Sequence, residues 1–350
     1  MSKVFLTGAS GYIGGQVLYN LATSQPDLTI RALVRDPAKA REITAALPSV
    51  QTIQGTLDDV SIIEKETADA DIILNLAIAW HLESVQTIHE TLKKRPADKK
   101  PAHWIQISGA SALAAAEIAD QKRVPGSPSD LIFDDLDGAP HLRAFIQGYP
   151  SRVVDNYMLA VAADSMPQVN TAIVMPPLIY GEGQGPGNQR SFQVPELARA
   201  TLQRGRGLRV GKGQSRWGNV HIRDLGELFT LLVQRAVEGG EGPGREEIWN
   251  LGGLYLASPG ESAFSDMSQR VADAAADGGF ISRAAVDEVS GDELPHGVML
   301  YGTNARSTSR RAMALLGWKP QEIGGLGVEI PRAVGAEAAA LGLIHVVSDK

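Results

Sequence analysis

The chain has 350 residues, enough for one large α/β unit and a smaller lobe, with the 43% apolar and 21% charged content of a soluble globular protein. Its formal net charge of −7 gives no reason to expect a nucleic acid or an anionic membrane as partner. It contains no cysteine, which excludes disulfides, thiolate nucleophiles and cysteine metal sites.

The first turn of the chain is its best-defined motif, and it predicts a dinucleotide site. A short apolar strand ends at Thr7, and an amphipathic helix leaves the glycine-rich turn from Tyr12. We expect Gly8 to allow the sharp exit from the strand, Gly11 to let a pyrophosphate lie against bare backbone, and Gly14 to bring the helix close to the sheet. The free N–H groups of the helix N-terminus would face the phosphates. The turn reads Thr7-Gly8-Ala9-Ser10-Gly11-Tyr12-Ile13-Gly14.

Further strand-like segments alternate with helical ones along the chain. They predict a parallel, doubly wound sheet of the α/β class, in which ligands bind at the carboxyl ends of the strands. Residues 117–150 are expected to form a long surface insertion, and the tail from Gly252 shows no clear strand–helix alternation. The predicted strands after the first are Thr29–Val34, Val50–Gln54, Asp71–Ala77, His103–Ile107 and Asn170–Met175.

The residues after the second strand discriminate between nucleotides. Proteins that choose NAD usually carry a carboxylate there, which accepts the ribose hydroxyls. Here the first residue past the strand is Arg35, with Lys39 and Arg41 close behind. A guanidinium at that point would pair with a 2′-phosphate and stack on the adenine. The sequence therefore favours NADP(H), while Asp36 keeps NAD(H) open as the less favoured alternative.

The segment after the third strand is expected to lie at the adenine edge. Leu57 would contact the base, and the Asp58 carboxylate can accept its amino hydrogens. Asp58 has an alternative interpretation as a helix N-cap, with Asp59 next to it.

Histidines and apolar runs lead to two further expectations. The seven histidines are scattered and form no His-x-x-x-His pair beside a carboxylate, so we expect no metal site. The apolar residues at the N-terminus already belong to the first strand, which argues against a signal peptide, and no apolar run approaches a membrane span. We therefore expect a cytoplasmic protein.

Several motifs together resemble the extended short-chain dehydrogenases/reductases, which include nucleotide-sugar epimerases and dehydratases and dihydroflavonol-reductase-like enzymes. The resemblance covers residues 1 to about 250. It implies a Rossmann-type domain of residues 1–175 and about 219–250, a smaller C-terminal substrate lobe of 176–218 and 251–350, and pairing into a homodimer through the helices after the fourth and fifth strands. It also implies cofactor contacts at Leu76, Ala77 and Pro177. The motifs are the first turn, Leu57-Asp58, Asn75-Leu76-Ala77, Pro177-Leu178-Ile179-Tyr180-Gly181 and Val220-His221-Ile222-Arg223-Asp224-Leu225.

The catalytic residues of that family are displaced in this sequence. The family uses a serine or threonine after the fifth strand and a Tyr-x-x-x-Lys motif, whose tyrosine exchanges a proton with the substrate and whose lysine holds the nicotinamide ribose. Counting back from the sixth strand puts Arg152 at the lysine position, and Tyr149 is one residue late. Ser111 is one residue late for the serine position, and Ser108 is two residues early. We expect Arg152 to position the ribose, Ser111 or Ser108 to bind the substrate oxygen, and Tyr149 to relay the proton.

The proton donor has alternatives. Tyr149 can instead be a loop aromatic ahead of an N-cap at Ser151. Other candidate acids are His81 past the fourth strand, Tyr157 on the following helix, and Tyr180 at the exit of the sixth strand.

Two aromatic residues bear on the substrate. At the positions where nucleotide-sugar enzymes hold the sugar diphosphate with an asparagine and an arginine, this chain has Phe192 and Trp217. Aromatic rings cannot neutralise a diphosphate, so we expect an apolar or aromatic small molecule in a pocket that includes His81, Tyr180, Phe192 and Trp217. Arg190 and Arg216 lie next to these positions and could restore the charge if the loops shift.

The helix after His221 has a structural explanation for its polar residues. Asp224 and Glu227 fit a capping box for a helix from Leu225 to Val233.

These observations favour an NADP(H)-dependent oxidoreductase acting on a carbonyl or related group of a small molecule. The first alternative is an epimerase or dehydratase that uses bound nicotinamide transiently. The second is a non-catalytic regulatory protein that binds NADP(H).

Overall fold

The computed structural model describes residues 2–164, 168–239, 245–322 and 324–343. The strands are β1 (Lys3–Thr7), β2 (Thr29–Val34), β3 (Gln51–Gln54), β4 (Ile72–Asn75), β5 (Ala102–Ile107), β6 (Phe133–Asp134), β7 (Val169–Met175), β8 (Leu178–Tyr180), β9 (Gly207–Val210), β10 (Arg216–His221), β11 (Leu254–Leu256), β12 (Gly260–Ala263), β13 (Val286–Val289) and β14 (Ser307–Thr308). The helices are α1 (Tyr12–Ser24), α2 (Pro37–Ala46), α3 (Val60–Asp69), α4 (Leu82–Lys93), α5 (Ala115–Ala119), α6 (Ala139–Gln147), α7 (Val153–Ala163), α8 (Gln193–Arg204), α9 (Ile222–Val237), α10 (Arg245–Ile248), α11 (Phe264–Asp277), α12 (Gly297–Gly302) and α13 (Leu326–Ala340).

Seven parallel strands form the central sheet, in the spatial order β11-β7-β5-β4-β1-β2-β3. Side chains alternate between its two faces: Phe5 packs with α3, α4 and α7, whereas Leu6 packs with α1, α2 and α9. The chain proceeds outward in both directions from β1, so a crevice opens at the carboxyl ends of β1 and β4. The predicted doubly wound, Rossmann-type α/β sheet is confirmed.

Residues 117–150, which were predicted to form a surface insertion, contribute side chains to the hydrophobic core. Phe133, Leu142 and Ile146 in β6 and α6 are buried in the core. The buried Asp135 carboxylate accepts hydrogen bonds from the backbone N–H groups of Leu256, Arg310 and Arg311. The burial of this segment was not predicted because most of its residues are polar. Only a few apolar side chains enter the core, and the contacts of the Asp135 carboxylate with the tail of the chain cannot be recognised from the sequence.

The smaller layer consists of the three-stranded sheet β12-β10-β8 and the pair β13-β9, covered by α8, α11 and α13. Strand β11 (Leu254–Leu256) comes from the tail but pairs in parallel with β7 in the central sheet. The sheet therefore extends past the boundary predicted near residue 251, because three buried residues are too short a run to stand out as a strand.

Helix α9 begins earlier than predicted, at Ile222. His221 is its N-cap and accepts a hydrogen bond from Arg223 N at 3.2 Å. The buried Asp224 carboxylate accepts instead from the backbone of Gln321 and Glu322, at 2.8 and 3.0 Å. The predicted capping box is wrong, because Asp224 ties the tail to α9. Within the described residues, no helix combines the length and apolar character needed to cross a membrane.

Candidate functional site

The first turn is built as a cradle in which added side chains would not fit. Gly8 has φ of +82°, and a Cβ there would lie 2.8 Å from the backbone of Leu76 and Ala77. A Cβ on Gly14 would lie 2.2 Å from Gly8 O. Gly11 precedes α1, and no side chain caps that helix. The bare backbone and uncapped helix N-terminus fit the pyrophosphate of a dinucleotide.

The loop after β8 packs against this turn. The Tyr12 hydroxyl donates to Gly181 O at 2.5 Å, and Asn188 N donates to Ser10 O at 3.0 Å. Burial raises the pKa of Tyr12 well above its ordinary value. Tyr12 and Ile13 are thus the first residues of α1, and the loop after β8 covers them. Pro177, which precedes β8, is buried.

A buried polar chain crosses the strand ends beneath the cradle. Thr7 Oγ1 donates to Asn75 Oδ1 at 2.7 Å and accepts from Leu76 N at 3.1 Å. Asn75 Nδ2 in turn donates to Gln106 Oε1 at 2.9 Å. These bonds fix the ends of β1, β4 and β5 relative to one another. The sequence analysis did not single out Gln106, although a polar residue in an otherwise apolar strand was a signal.

Two exposed residues, Arg35 and Asp36, follow β2, where the adenine end of the nucleotide is expected. Arg35 projects from the strand end, and the Asp36 carboxylate accepts from Ala38 N at 2.7 Å, which caps α2. Asp36 is therefore engaged by its own helix, whereas the Arg35 side chain is exposed.

Asp58 and His81 form a pair between the ends of β3 and β4. His81 Nδ1 accepts from Ser84 N at 3.2 Å, so Nε2 carries the hydrogen and donates to Asp58 at 3.0 Å. Both ring nitrogens of His81 are occupied, which argues against the predicted role as an acid or a substrate contact. Asp58 does not cap α3, which begins after Asp59, and Leu57 is half-buried beside the core.

The candidate catalytic residues converge at the end of β5. Ser108 Oγ donates to Asp155 Oδ1 at 2.5 Å, and Arg152 Nε donates to Asp155 Oδ2 at 2.7 Å. Arg152 Nη1 also donates to Ser111 Oγ at 3.2 Å. These side chains line a cleft of about 270 Å³ together with Trp80, whose side chain is exposed. The structure therefore brings Ser108, Ser111 and Arg152 together.

Asp155 is a further residue of this cleft that was not predicted from the sequence. It is only 3% exposed and accepts at both carboxylate oxygens. The signal was its spacing, since it lies three residues after Arg152 and α7 begins at Val153, which puts both residues at one helix end.

Tyr149 does not line this cleft. Its ring packs against Phe145 with centroids 5.0 Å apart, and its carbonyl accepts from Arg152 N and Asn156 Nδ2, each at 3.0 Å. The predicted proton relay through Tyr149 therefore lacks geometric support, because the ring belongs to the α6–α7 corner. The alternative N-cap at Ser151 is also wrong, since Arg152 occupies that position.

The other candidate tyrosines are engaged elsewhere. Tyr157 forms a hydrogen bond with His89 Nδ1 at 2.7 Å, where α7 meets α4. The buried Tyr180 donates to Glu322 O at 2.6 Å, and burial raises its pKa to about 12. Tyr180 is therefore a packing residue and does not fit the predicted roles of acid or substrate contact.

The predicted substrate aromatics differ in exposure. Trp217 is buried and its Nε1 donates to Thr303 O at 2.8 Å, so its predicted contact with substrate is wrong. Phe192, at the start of α8, is 44% exposed. Trp80 is 81% exposed, and the sequence analysis did not name it. Its exposed position next to Ala79 and Arg152 adds a flat apolar surface to the cleft.

Comparison with known proteins agrees with this geometry. The sequence model described as NAD(P)H-binding matches residues 8–125, and that of the NAD dependent epimerase/dehydratase family matches residues 141–252. The chain is similar to "Oxidase ucsJ" from Acremonium sp, with 35% identity over 97% of this chain and 99% of the relative. It is also similar to the uncharacterized protein YLL056C of Saccharomyces cerevisiae, with 24% identity over 68% of this chain and 72% of that protein.

Solved structures share the fold. The PbgP3 protein from Burkholderia pseudomallei matches with a TM-score of 0.66 and 15% identity, covering 98% of this chain and 99% of that one. A dTDP-glucose 4,6-dehydratase from Bacillus anthracis, in complex with NAD, matches with a TM-score of 0.63 and 12% identity over 96% and 97%. With the dinucleotide cradle and the site at the end of β5, these matches identify the chain as a nicotinamide-binding oxidoreductase of the extended short-chain dehydrogenase/reductase family.

Proposed function

We propose that the protein is an NADP(H)-dependent oxidoreductase that acts on the carbonyl group, or the corresponding alcohol, of a small apolar or aromatic molecule. The observation that carries the proposal is the cleft in which Ser108, Ser111 and Arg152 converge at the end of β5. That strand lies beside β4, whose end borders the dinucleotide cradle. A substrate oxygen in the cleft would meet hydroxyl and guanidinium donors within reach of the cofactor crevice.

The chain's own groups would hold the cofactor as follows. The backbone of the Gly8–Gly14 turn and the N-terminus of α1 bind the pyrophosphate. Arg152 would position the nicotinamide ribose, and it holds Ser111 in place through the 3.2 Å hydrogen bond. The nicotinamide, when bound, supplies or accepts a hydride.

The preference for NADP(H) is supported by the end of β2. The exposed Arg35 guanidinium can pair bidentately with a 2′-phosphate. The carboxylate that would select NAD, Asp36, already caps α2 through Ala38 N. A ribose hydroxyl would have to compete with that hydrogen bond.

The substrate class is supported by the exposed indole and by the paired arginines. Trp80 offers an aromatic face at the cleft, where a planar group can stack. Arg190 pairs with Glu196 and Glu337, at 2.8 and 2.7 Å, and Arg216 pairs with Glu261 at 2.6 Å. A sugar diphosphate would have to break these ion pairs, whereas an uncharged ligand would not. The Acremonium relative's name, oxidase, agrees with net redox chemistry.

The test is a fluorescence titration with NADPH and with NADH, followed by addition of aromatic ketones, aldehydes and enones, with dTDP-glucose as comparison. We expect tighter binding of NADPH and its oxidation by an aromatic carbonyl compound. Tight binding without turnover of any compound would favour the regulatory alternative. Turnover of dTDP-glucose alone, with no net change in nicotinamide, would favour the epimerase or dehydratase alternative.

A further inference from the structure

The cleft contains a buried carboxylate that the family's usual arrangement does not explain. Asp155 is 3% exposed and lies directly behind Ser108, whose hydroxyl donates to Oδ1 at 2.5 Å. Arg152 donates to the other oxygen, Oδ2, at 2.7 Å. Each carboxylate oxygen of Asp155 thus has one hydrogen-bond donor, and Oδ1 faces the hydroxyl of Ser108.

The surroundings leave Asp155 as the best proton acceptor in the cleft. Tyr149, the proton relay predicted from the sequence, packs against Phe145 and is not among the cleft residues. The hydroxyls of Ser108 and Ser111 cannot retain a proton gained from a substrate unless they pass one on. Among the described residues, Arg152 is the charged side chain that hydrogen-bonds or ion-pairs with Asp155, and a guanidinium does not titrate.

We propose that Asp155 accepts, through Ser108, the proton of a substrate hydroxyl, so that the site is arranged for oxidation of an alcohol. This inference rests on the proposed function. The substrate O–H proton moves to Ser108 Oγ as the proton of Ser108 moves to Asp155 Oδ1. The C–H bond breaks with its electron pair, a C=O bond forms, and oxidised nicotinamide is the hydride acceptor. One hydride and one proton thus leave the alcohol: the hydride goes to the oxidised nicotinamide, and the proton goes through Ser108 to Asp155.

Arg152 assists this transfer by its position. Its Nη2 lies 3.5 Å from Ser108 Oγ, the oxygen on which negative charge develops as the proton leaves. Its Nη1 donates to Ser111, which also lines the cleft. One guanidinium therefore stabilises the ionised carboxylate and the developing charge on the relay.

The proposal predicts opposite pH dependences for the two directions of reaction. Oxidation releases the hydroxyl proton of the alcohol, so its rate should fall on acidification. Reduction takes up a proton through the same relay, so its rate should rise on acidification until the fold is lost. The probes are 1-phenylethanol with NADP⁺ and acetophenone with NADPH.

Variants at both ends of the relay separate chemistry from folding. We expect Asp155→Asn and Ser108→Ala each to slow 1-phenylethanol oxidation by about 10²–10⁴-fold and to abolish the acid limb of the pH profile. Asp164→Asn, at the exposed C-terminal end of the same helix, is the matched control and should leave the oxidation rate and its pH profile unchanged. Added formate should restore part of the rate in Asp155→Ala, because a free carboxylate can take the missing position. Such rescue would not follow from a purely structural role.

An infrared measurement reads the carboxylate without cofactor or substrate. The difference spectrum between wild type and Asp155→Asn at neutral pH should contain the antisymmetric stretch of an ionised carboxylate. A protonated carboxyl band there, or oxidation by Asp155→Asn at the wild-type rate with an unchanged pH profile, would overturn the proposal. Absence of binding of either nicotinamide would instead refute the proposed function, and the infrared result would still decide the state of Asp155.

Discussion

Replacing Gly14 with alanine should disable the dinucleotide cradle while the fold survives. The added Cβ would lie 2.2 Å from Gly8 O and 2.6 Å from Gly8 C, both backbone atoms of the turn itself. Ordinary contacts of this kind begin near 3.4 Å, so α1 and the turn must separate by roughly 1 Å. Such overpacking typically costs about 1–3 kcal/mol of stability. A displacement of that size in a positioning element can weaken function by about 10²-fold.

The assay is a fluorescence titration with NADPH, paired with thermal unfolding. We expect the Kd for NADPH to rise by about 10²-fold and the midpoint of unfolding to fall by a few degrees. The matched control is Gly335→Ala in α13, where an added Cβ meets no atom within 4 Å and Kd should not change. An unchanged Kd for Gly14→Ala would refute the assignment of the turn as the pyrophosphate site.

Three further predictions concern other parts of the molecule. Arg35→Ala should raise the Kd for NADPH by about 10–150-fold, the loss of about 1.5–3 kcal/mol from a charge-assisted pair, and should change the Kd for NADH little. Lys65→Ala, which removes an exposed positive charge from α3, is the control and should leave both Kd values unchanged. Trp80→Ala should raise KM for acetophenone by about 2–12-fold with kcat retained, the value of about 0.5–1.5 kcal/mol for aromatic stacking, and Trp80→Phe should keep most of the effect. Burial lowers the pKa of His103 from 6.5 to about 4. Below pH 6.5 the unfolded chain therefore binds a proton that the folded one does not, and the free energy of unfolding should fall by roughly 3 kcal/mol between pH 6.5 and 4. In His103→Gln, urea titrations across that range should show a smaller loss.

The sequence predicted the sheet well because its signals are local. Gly8, Gly11 and Gly14 are close in sequence and act within one turn, and apolar strands such as His103–Ile107 are recognisable from their own residues. The parallel sheet then follows from the alternation of strands and helices. Strand β11 escaped prediction because its three residues acquire their role only by pairing with β7.

The residues of the candidate site that the structure brings together were located in part from the sequence, and the omissions have a common physical cause. Ser108, Ser111 and Arg152 follow directly from strand ends and helix starts, so counting along the chain located them. Asp155 reaches the cleft through its hydrogen bond with Ser108, which lies 47 residues earlier in the chain, and no local sequence pattern predicts that contact. Helical spacing predicts only its contact with Arg152, three residues away.

The solvent exposure of individual aromatic side chains could not be predicted from the sequence either. Trp217 and Trp80 are both tryptophans near predicted loops, yet the first is buried and the second is 81% exposed. The difference depends on β10 pairing with β12 and packing against Phe264, which only the tertiary structure shows.

A crystal structure of the protein with NADP⁺ tests most directly whether the first turn and the cleft at the end of β5 form one nicotinamide site. The pyrophosphate should lie over the Gly8–Gly14 turn, the 2′-phosphate within hydrogen-bond distance of Arg35, and the nicotinamide beside Ser108 and Arg152. A dinucleotide bound away from the turn, or a nicotinamide directed away from the Ser108–Asp155 pair, would contradict this arrangement.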